Sequence, residues 1–257
     1  MPKAVPLPAA FLRLPIAHRA YHDRAAGRPE NSRAAVSAAV AAGYGIEIDI
    51  QPSGDGVPMV FHDYDLRRLT GRPGRVRGHD AGELGAMRLI DAQDGIPTLV
   101  DILDIVAGRV PILIEIKDQD GNMGPDVGPL EQAVARALHG YAGDVALMSF
   151  NPHSVAALAA FAPERPRGIT TSAYGDDWHL LTRAVRDHLR DVPDYDRVGA
   201  SFISHEVADL GRPLVSDLKA GGAAILCWTV RSPEIEAAAR VYADNITFEG
   251  YAAAIPA

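Results

Sequence analysis

Gly45-Ile46-Glu47-Ile48-Asp49-Ile50, then Gln51-Pro52-Ser53-Gly54-Asp55-Gly56, then Val57-Pro58-Met59-Val60-Phe61-His62-Asp63 is the stretch around which this chain is organised. Its first part is apolar except for two carboxylates two positions apart. In a strand the side chains alternate between faces, so Glu47 and Asp49 share one face. Two carboxylates beside isoleucines cost free energy unless a positive group sits with them. A divalent cation is the simplest such group. The break that follows is too short for a helix, so the next run turns straight back as the second arm of a hairpin around residues 53–56. That arm ends on His62-Asp63, which it carries back toward the carboxylates.

Outward from this stretch, the chain alternates strands with helices. A short apolar run at 14–19 reads as a strand ending in His18-Arg19. An Ala-rich helix at 31–42 is closed by Gly43. The strand at 45–51 and the hairpin arm at 57–62 follow. Residues 65–95, rich in Arg, Gly and Asp, read as an irregular excursion. A helix runs from Pro97 with Thr98 as its N-cap. Further strands are expected at 110–117, 144–150, 167–172, 200–204, 223–230 and 245–248. Helices are expected at 130–138, 152–161, 177–190, 214–220 and 233–242, with a polar, glycine-containing loop at 118–129. Without the hairpin arm, eight strands remain, nearly all separated by helices.

That alternation predicts an α/β fold with a parallel sheet. Eight repeats in a chain of 257 residues predict a closed (β/α)8 TIM barrel with a small insertion after the second strand, about 52–96. An open doubly wound sheet usually has a Gly-rich turn after its first strand. Here that place is taken by His18-Arg19-Ala20-Tyr21-His22-Asp23. No long Ser- or Gly-rich linker divides the chain, so residues 1–257 read as one domain.

Composition narrows the partners. Apolar residues make up 47% of the chain, enough for a full core, and the net charge is -8 with both signs interspersed. No basic patch is available for a nucleic-acid backbone. The one cysteine, Cys227, lies in an apolar run and reads as a small buried hydrophobe. Nothing demands an oxidising compartment. Pro6, Pro8, Arg13 and Pro15 interrupt the N-terminal apolar residues, so no signal-peptide core forms. No run approaches membrane-spanning length. The expectation is a soluble, cytoplasmic protein with no stable membrane insertion.

Chemistry in such a barrel sits at the C-terminal ends of the strands, and the unusual polar residues fall there. His18 and Arg19 end the first strand, Glu47 and Asp49 lie late in the second, and Glu115 and Lys117 end the third. Ser149 ends the fourth and Trp228 the seventh. His62-Asp63 ends the hairpin arm. Each has a plain structural alternative: Glu115 bonded to Lys117, for instance, or a histidine that only supports the fold. Their convergence on one rim from distant stretches is what points to a site. Three carboxylates suit a hard cation, Mg2+ or Ca2+, whereas zinc more often recruits histidine or cysteine. Arg19 and Lys117 suit a phosphate. Two histidines suit a proton taken on one side of a reacting centre and given on the other. Together they describe metal-assisted cleavage of a phosphate ester.

These residues resemble the glycerophosphodiester phosphodiesterase family. The pattern is His18-Arg19, Pro29-Glu30-Asn31-Ser32, Glu47-Ile48-Asp49, Asp55-Gly56, and Val60-Phe61-His62-Asp63. After it come Pro97-Thr98-Leu99, Glu115-Ile116-Lys117, Ser149-Phe150 and Trp228-Thr229-Val230. The resemblance implies a barrel with an insertion after the second strand, and hydrolysis of small-molecule glycerophosphodiesters to glycerol 3-phosphate and an alcohol. It further implies His18 and His62 as general acid and base, and Glu47, Asp49 and Glu115 as metal ligands. Arg19 and Lys117 would hold the phosphate. Glu30 and Asn31 would lie in the site, Glu30 touching the metal or orienting Arg19. Trp228 would wall the glycerol side or fill the barrel core.

Two positions depart from the family pattern. Ala20 stands where glycine is usual, and Thr247-Phe248-Glu249-Gly250 stands where Thr-Asp-x-Pro is common. A lysophospholipase D or sphingomyelinase D on the same plan would need an apolar ramp, for which the 65–95 excursion is too polar. A non-catalytic phosphate-binding barrel would be expected to have lost some of these rim residues. A sugar isomerase barrel would not need Arg and Lys placed for phosphate.

Overall fold

The computed structural model describes residues 2–256. Its strands are β1 (Ile16–Ala17), β2 (Gly45–Pro52), β3 (Pro58–Val60), β4 (Ile112–Ile116), β5 (Val145–Ser149), β6 (Arg167–Thr171), β7 (Phe202–Glu206), β8 (Ala224–Val230) and β9 (Asn245–Phe248). β1 pairs in parallel with both β2 and β9, which closes a ring in the order β1-β2-β4-β5-β6-β7-β8-β9. This is the (β/α)8 barrel. β3 stands outside the ring, antiparallel to β2, with Ile50 opposite Val60 and Pro52 opposite Pro58. The turn between them places Gly56 at φ 81°, a conformation glycine adopts without the steric penalty of a side chain.

The two faces of the ring bury different things. Ile46, Ile48 and Ile50 of β2 and Ile112, Ile114 and Ile116 of β4 point outward. There they pack with Val36 and Ala39 of helix Arg33–Ala42 and Ile102 and Leu103 of helix Leu99–Val106. Inside the ring, Ile16, Leu113, Ala146, Met148, Phe202 and Leu226 form an apolar plug, with Phe11 of helix Ala10–Arg13 in the same cluster. The two-residue period then carries each strand from plug to rim: Ile16 leads to His18, Leu113 to Glu115 and Lys117, and Leu226 to Trp228. The polar rim therefore rests on a dry floor.

Capping chemistry fixes the helix starts nearest the site. Ser32 accepts a hydrogen bond from Ala35 N–H, and Gly43 ends that helix in the left-handed conformation. Thr98 and Asp101 form a reciprocal capping box, the side chain of each accepting the other's backbone N–H.

Two expectations change. The 65–95 excursion is ordered: helices Arg67–Thr70 and Ala81–Ala86 flank a 3-10 turn at Val76–Gly78. Leu66, Leu69, Val76, Leu84 and Leu89 bury against Met59 and Phe61 of the hairpin in a small core of their own. Scattered apolar residues among many charges hide this, because none is periodic. The helix expected at 177–190 runs instead over Arg183–Asp191, because Thr182 caps it by accepting from Val185 N–H. Asp176–Trp178 is a separate 3-10 turn. Among the described residues, no helix is long and apolar enough to cross a membrane.

Candidate active site

Three carboxylates and a lysine sit where β2 and β4 leave the ring. Asp49 is in register with Glu115 across the two strands, and Glu47 with Leu113, so all three acids face inward. They are 2–6% exposed. One oxygen from each lies within 4.8 Å of the others. Lys117 Nζ is 2.7 Å from Glu115 Oε1 and 3.1 Å from Asp49 Oδ1. Burial disfavours that ammonium, but Asp49 and Glu115 outweigh it and keep Lys117 charged. Burial likewise works against the Asp49 carboxylate, and the charges led by Lys117 hold it well below the usual range.

Glu47 is different. Burial, then the charges of Asp49 and Glu115, push its pKa well above the ordinary value. It accepts Arg19 N–H at 2.8 Å, and no cationic side chain forms an ion pair with it among the described residues. An all-oxygen set with one under-compensated carboxylate fits a hard divalent cation.

The loop after β1 is bent by two left-handed residues, Arg19 at φ 53° and Ala20 at φ 66°. This bend aims Arg19 N–H at the Glu47 carboxylate and lets Ala20 N–H donate to Glu47 O at 2.9 Å. Ala20 thus holds a conformation that glycine adopts more readily. The guanidinium of Arg19 donates to Glu30 Oε1 at 2.8 Å, and its Nε is 3.7 Å from Asp49 Oδ2. Glu30 also accepts from Arg68 at 2.7 and 2.8 Å, so it orients Arg19 from outside the carboxylate trio. Asn31, left-handed at φ 58°, donates its side-chain amide to Asp49 Oδ2 at 2.9 Å.

Both histidines are backed by a carboxylate at the same ring atom. His18 Nδ1 is 2.6 Å from Glu249 Oε2, and His62 Nδ1 is 2.7 Å from Asp63 Oδ1. Arg68 in turn grips Asp63 through Nε at 2.6 Å. With Nδ1 engaged, Nε2 is the remaining nitrogen of each ring. Burial lowers the His18 pKa, and the bond to Glu249 only partly opposes it. Burial raises the carboxyls of Glu249 and Asp63, but their histidine bonds and nearby arginines bring both below the ordinary range.

His18, Arg19, Glu47, Asp49, His62, Glu115 and Lys117 all line one cavity of about 140 Å³. Met148, Phe150 and Trp228 form its apolar wall. Trp228 is fixed by its Nε1–H donating to Ser204 O at 3.0 Å. Ser149 is fully buried and donates to Ile116 O, so it braces the strands beneath. Sequence reasoning gave no role to Glu249, Asp63 or Arg68. Glu249 follows directly on β9 and so stands at a rim position, which is a usable signal. Asp63 adjoins His62. Arg68 carries none, being one of several arginines in the excursion.

A closed barrel whose rim gathers three clustered carboxylates, an arginine, a lysine and two carboxylate-backed histidines has the make-up of a phosphate-ester-handling enzyme class. Residues 18–248 match the glycerophosphoryl diester phosphodiesterase family, and the chain belongs to that family. It is 27% identical over 248 residues to the glycerophosphodiester phosphodiesterase of Caldanaerobacter subterraneus subsp. tengcongensis, covering 91% of this chain and 92% of that protein. The fold is shared with an Oleispira antarctica phosphodiesterase solved with the product sn-glycerol-3-phosphate: TM-score 0.73, 24% identity, 92% of this chain and 93% of that one. It is shared too with the glycerophosphodiester phosphodiesterase of Thermotoga maritima: TM-score 0.69, 22% identity, 91% of this chain and 94% of that one.

Proposed function

We propose that this protein hydrolyses glycerophosphodiesters to glycerol 3-phosphate and an alcohol, with His18 and His62 as the acid–base pair. The observation that carries this reading is the placement of two Nδ1-anchored histidines in one small cavity with Arg19, Lys117 and three carboxylates. Arg19 and Lys117 bind the non-bridging phosphate oxygens and stabilise their charge. Glu30 and Arg68 fix the angle of Arg19. His18, its pKa lowered by burial, accepts a proton from the attacking water as the water oxygen forms the new P–O bond that leaves glycerol 3-phosphate. His62 gives a proton to the departing alkoxide as the P–O bond breaks. Glu47, Asp49 and Glu115 would hold Mg2+ or Ca2+, which supplies neutralisation of phosphate charge.

His18→Ala and His62→Ala are each expected to lower kcat by about 10²–10⁴-fold, with the far-UV circular dichroism of the folded protein retained. Turnover near wild type in either variant contradicts the assignment.

A further inference from the structure

The catalytic cavity adjoins a second, larger space. A groove of about 720 Å³ shares His62, Lys117, Phe150 and Trp228 with it. Most of its apolar outer wall comes from two loops, Met123 after β4 and Trp178, Leu180 and Leu181 after β6, with Tyr64 and Asp65 lining the side next to the hairpin arm. The wall is a layered aromatic surface. Trp178 lies 5.0 Å from Phe150 and 4.9 Å from Tyr174 between ring centroids, and Phe150 lies 5.6 Å from Trp228. Buried Tyr174 supports it from beneath. Leu180, at the mouth, is 83% exposed. Four of the five acids lining the groove are engaged: Asp63 by His62 and Arg68, Asp65 by the Arg67 N–H, Glu115 by Lys117, and Asp118 by Asn151 and the Gly121 N–H; Asp177 is exposed. The rings also pack edge or tilt against one another, so they do not stand apart as a cage for a cation.

We propose that this groove is a subsite for one aliphatic chain, so that the enzyme takes single-chain amphiphilic phosphodiesters of the lysophospholipid type. The diester sits at the rim and the chain lies along Phe150, Trp178 and Leu180. This rests on the phosphodiesterase reading above. The apolar ramp missing from the 65–95 excursion is supplied by the loops after β4 and β6. The chain can be carried on the glycerol arm or on the alcohol arm of the diester, and the substrates below separate the two.

The chain's 2 tryptophans, Trp178 and Trp228, both line the groove, so intrinsic fluorescence reports binding without turnover. Octyl phosphate is expected to bind about 10–100-fold more tightly than glycerol 3-phosphate. Leu180→Asp, and Leu180→Asp with Met123→Asp, should remove that difference while leaving the glycerol 3-phosphate Kd within about twofold. Equal affinities overturn the proposal, as does a preference that survives both variants. Phosphocholine binding more tightly than octyl phosphate also overturns it, in favour of a cation subsite.

In kinetics below the micellar concentration, octanoyl lysophosphatidylcholine or glycerophospho-octanol should exceed glycerophosphocholine in kcat/KM by about tenfold or more. Whichever does so identifies the arm that carries the chain. Preference for glycerophosphocholine over both overturns the proposal. If no diester is cleaved while octyl phosphate binding behaves as expected, the subsite stands and the hydrolytic reading falls.

Discussion

Two carboxylates decide how the histidines of this site can act. Glu249 and Asp63 each engage an imidazole at Nδ1, which fixes the ring and its tautomer. Glu249→Gln keeps the size but removes the charge. With hydrogen bonds to charged groups contributing about 1.5–3 kcal/mol, kcat should fall about 10–100-fold with KM little changed, and Glu249→Asp should restore part of the loss. An unchanged kcat in Glu249→Gln contradicts this role.

The same pair predicts how stability follows pH. Both carboxyls have folded pKa values below their unfolded ones, near 4, despite burial, because of their histidine and arginine partners. The unfolded chain therefore binds more protons in acid. The stabilisation is fully present above about pH 4 and is lost as pH falls through the folded values. Melting temperature should drop below pH 4, and Asp63→Asn should show a shallower drop than wild type between pH 5 and 3. Parallel curves would contradict it. The residue types of the rim were legible in the sequence; the partners that orient them were not, since Glu249 is 231 positions from His18.

At the scale of elements, β2 and its hairpin were the most legible part. An apolar run with two carboxylates two positions apart read as a strand, and a break too short for a helix demanded a direct return; both are observed. Lone caps and scattered apolar residues were less legible. Thr182, not periodicity, starts the helix after β6, and the 65–95 segment folds around leucines with no period. Packing inside the ring was invisible in sequence. Gly168 of β6 faces Phe202 of β7, and an added Cβ would lie 2.4 Å from its ring and 2.6 Å from its carbonyl oxygen. Both are strand positions that cannot move independently. Gly168→Ala should therefore destabilise by about 1–3 kcal/mol, measured as a lower denaturant midpoint with an unchanged slope. A midpoint equal to wild type contradicts that packing.

For the whole molecule, the barrel separates stability from chemistry: an apolar plug below, a charged rim above. The rim's convergence was readable because five of the eight ring strands, and the hairpin arm, end near an unusual residue. The groove beside it was not, because its apolar wall comes from loops whose composition is ordinary. Three buried carboxylates meet at the rim, with Glu47 in no ion pair among the described residues, and a cation is the expected partner. The most direct measurement is release of glycerol 3-phosphate from glycerophosphocholine, or from a single-chain diester, by the purified protein with Mg2+ or Ca2+ and again after chelation. Release that is abolished by chelation and restored by added metal is the predicted result. No release of glycerol 3-phosphate or its acylated form under any of these conditions, or release indifferent to chelation, would contradict the account.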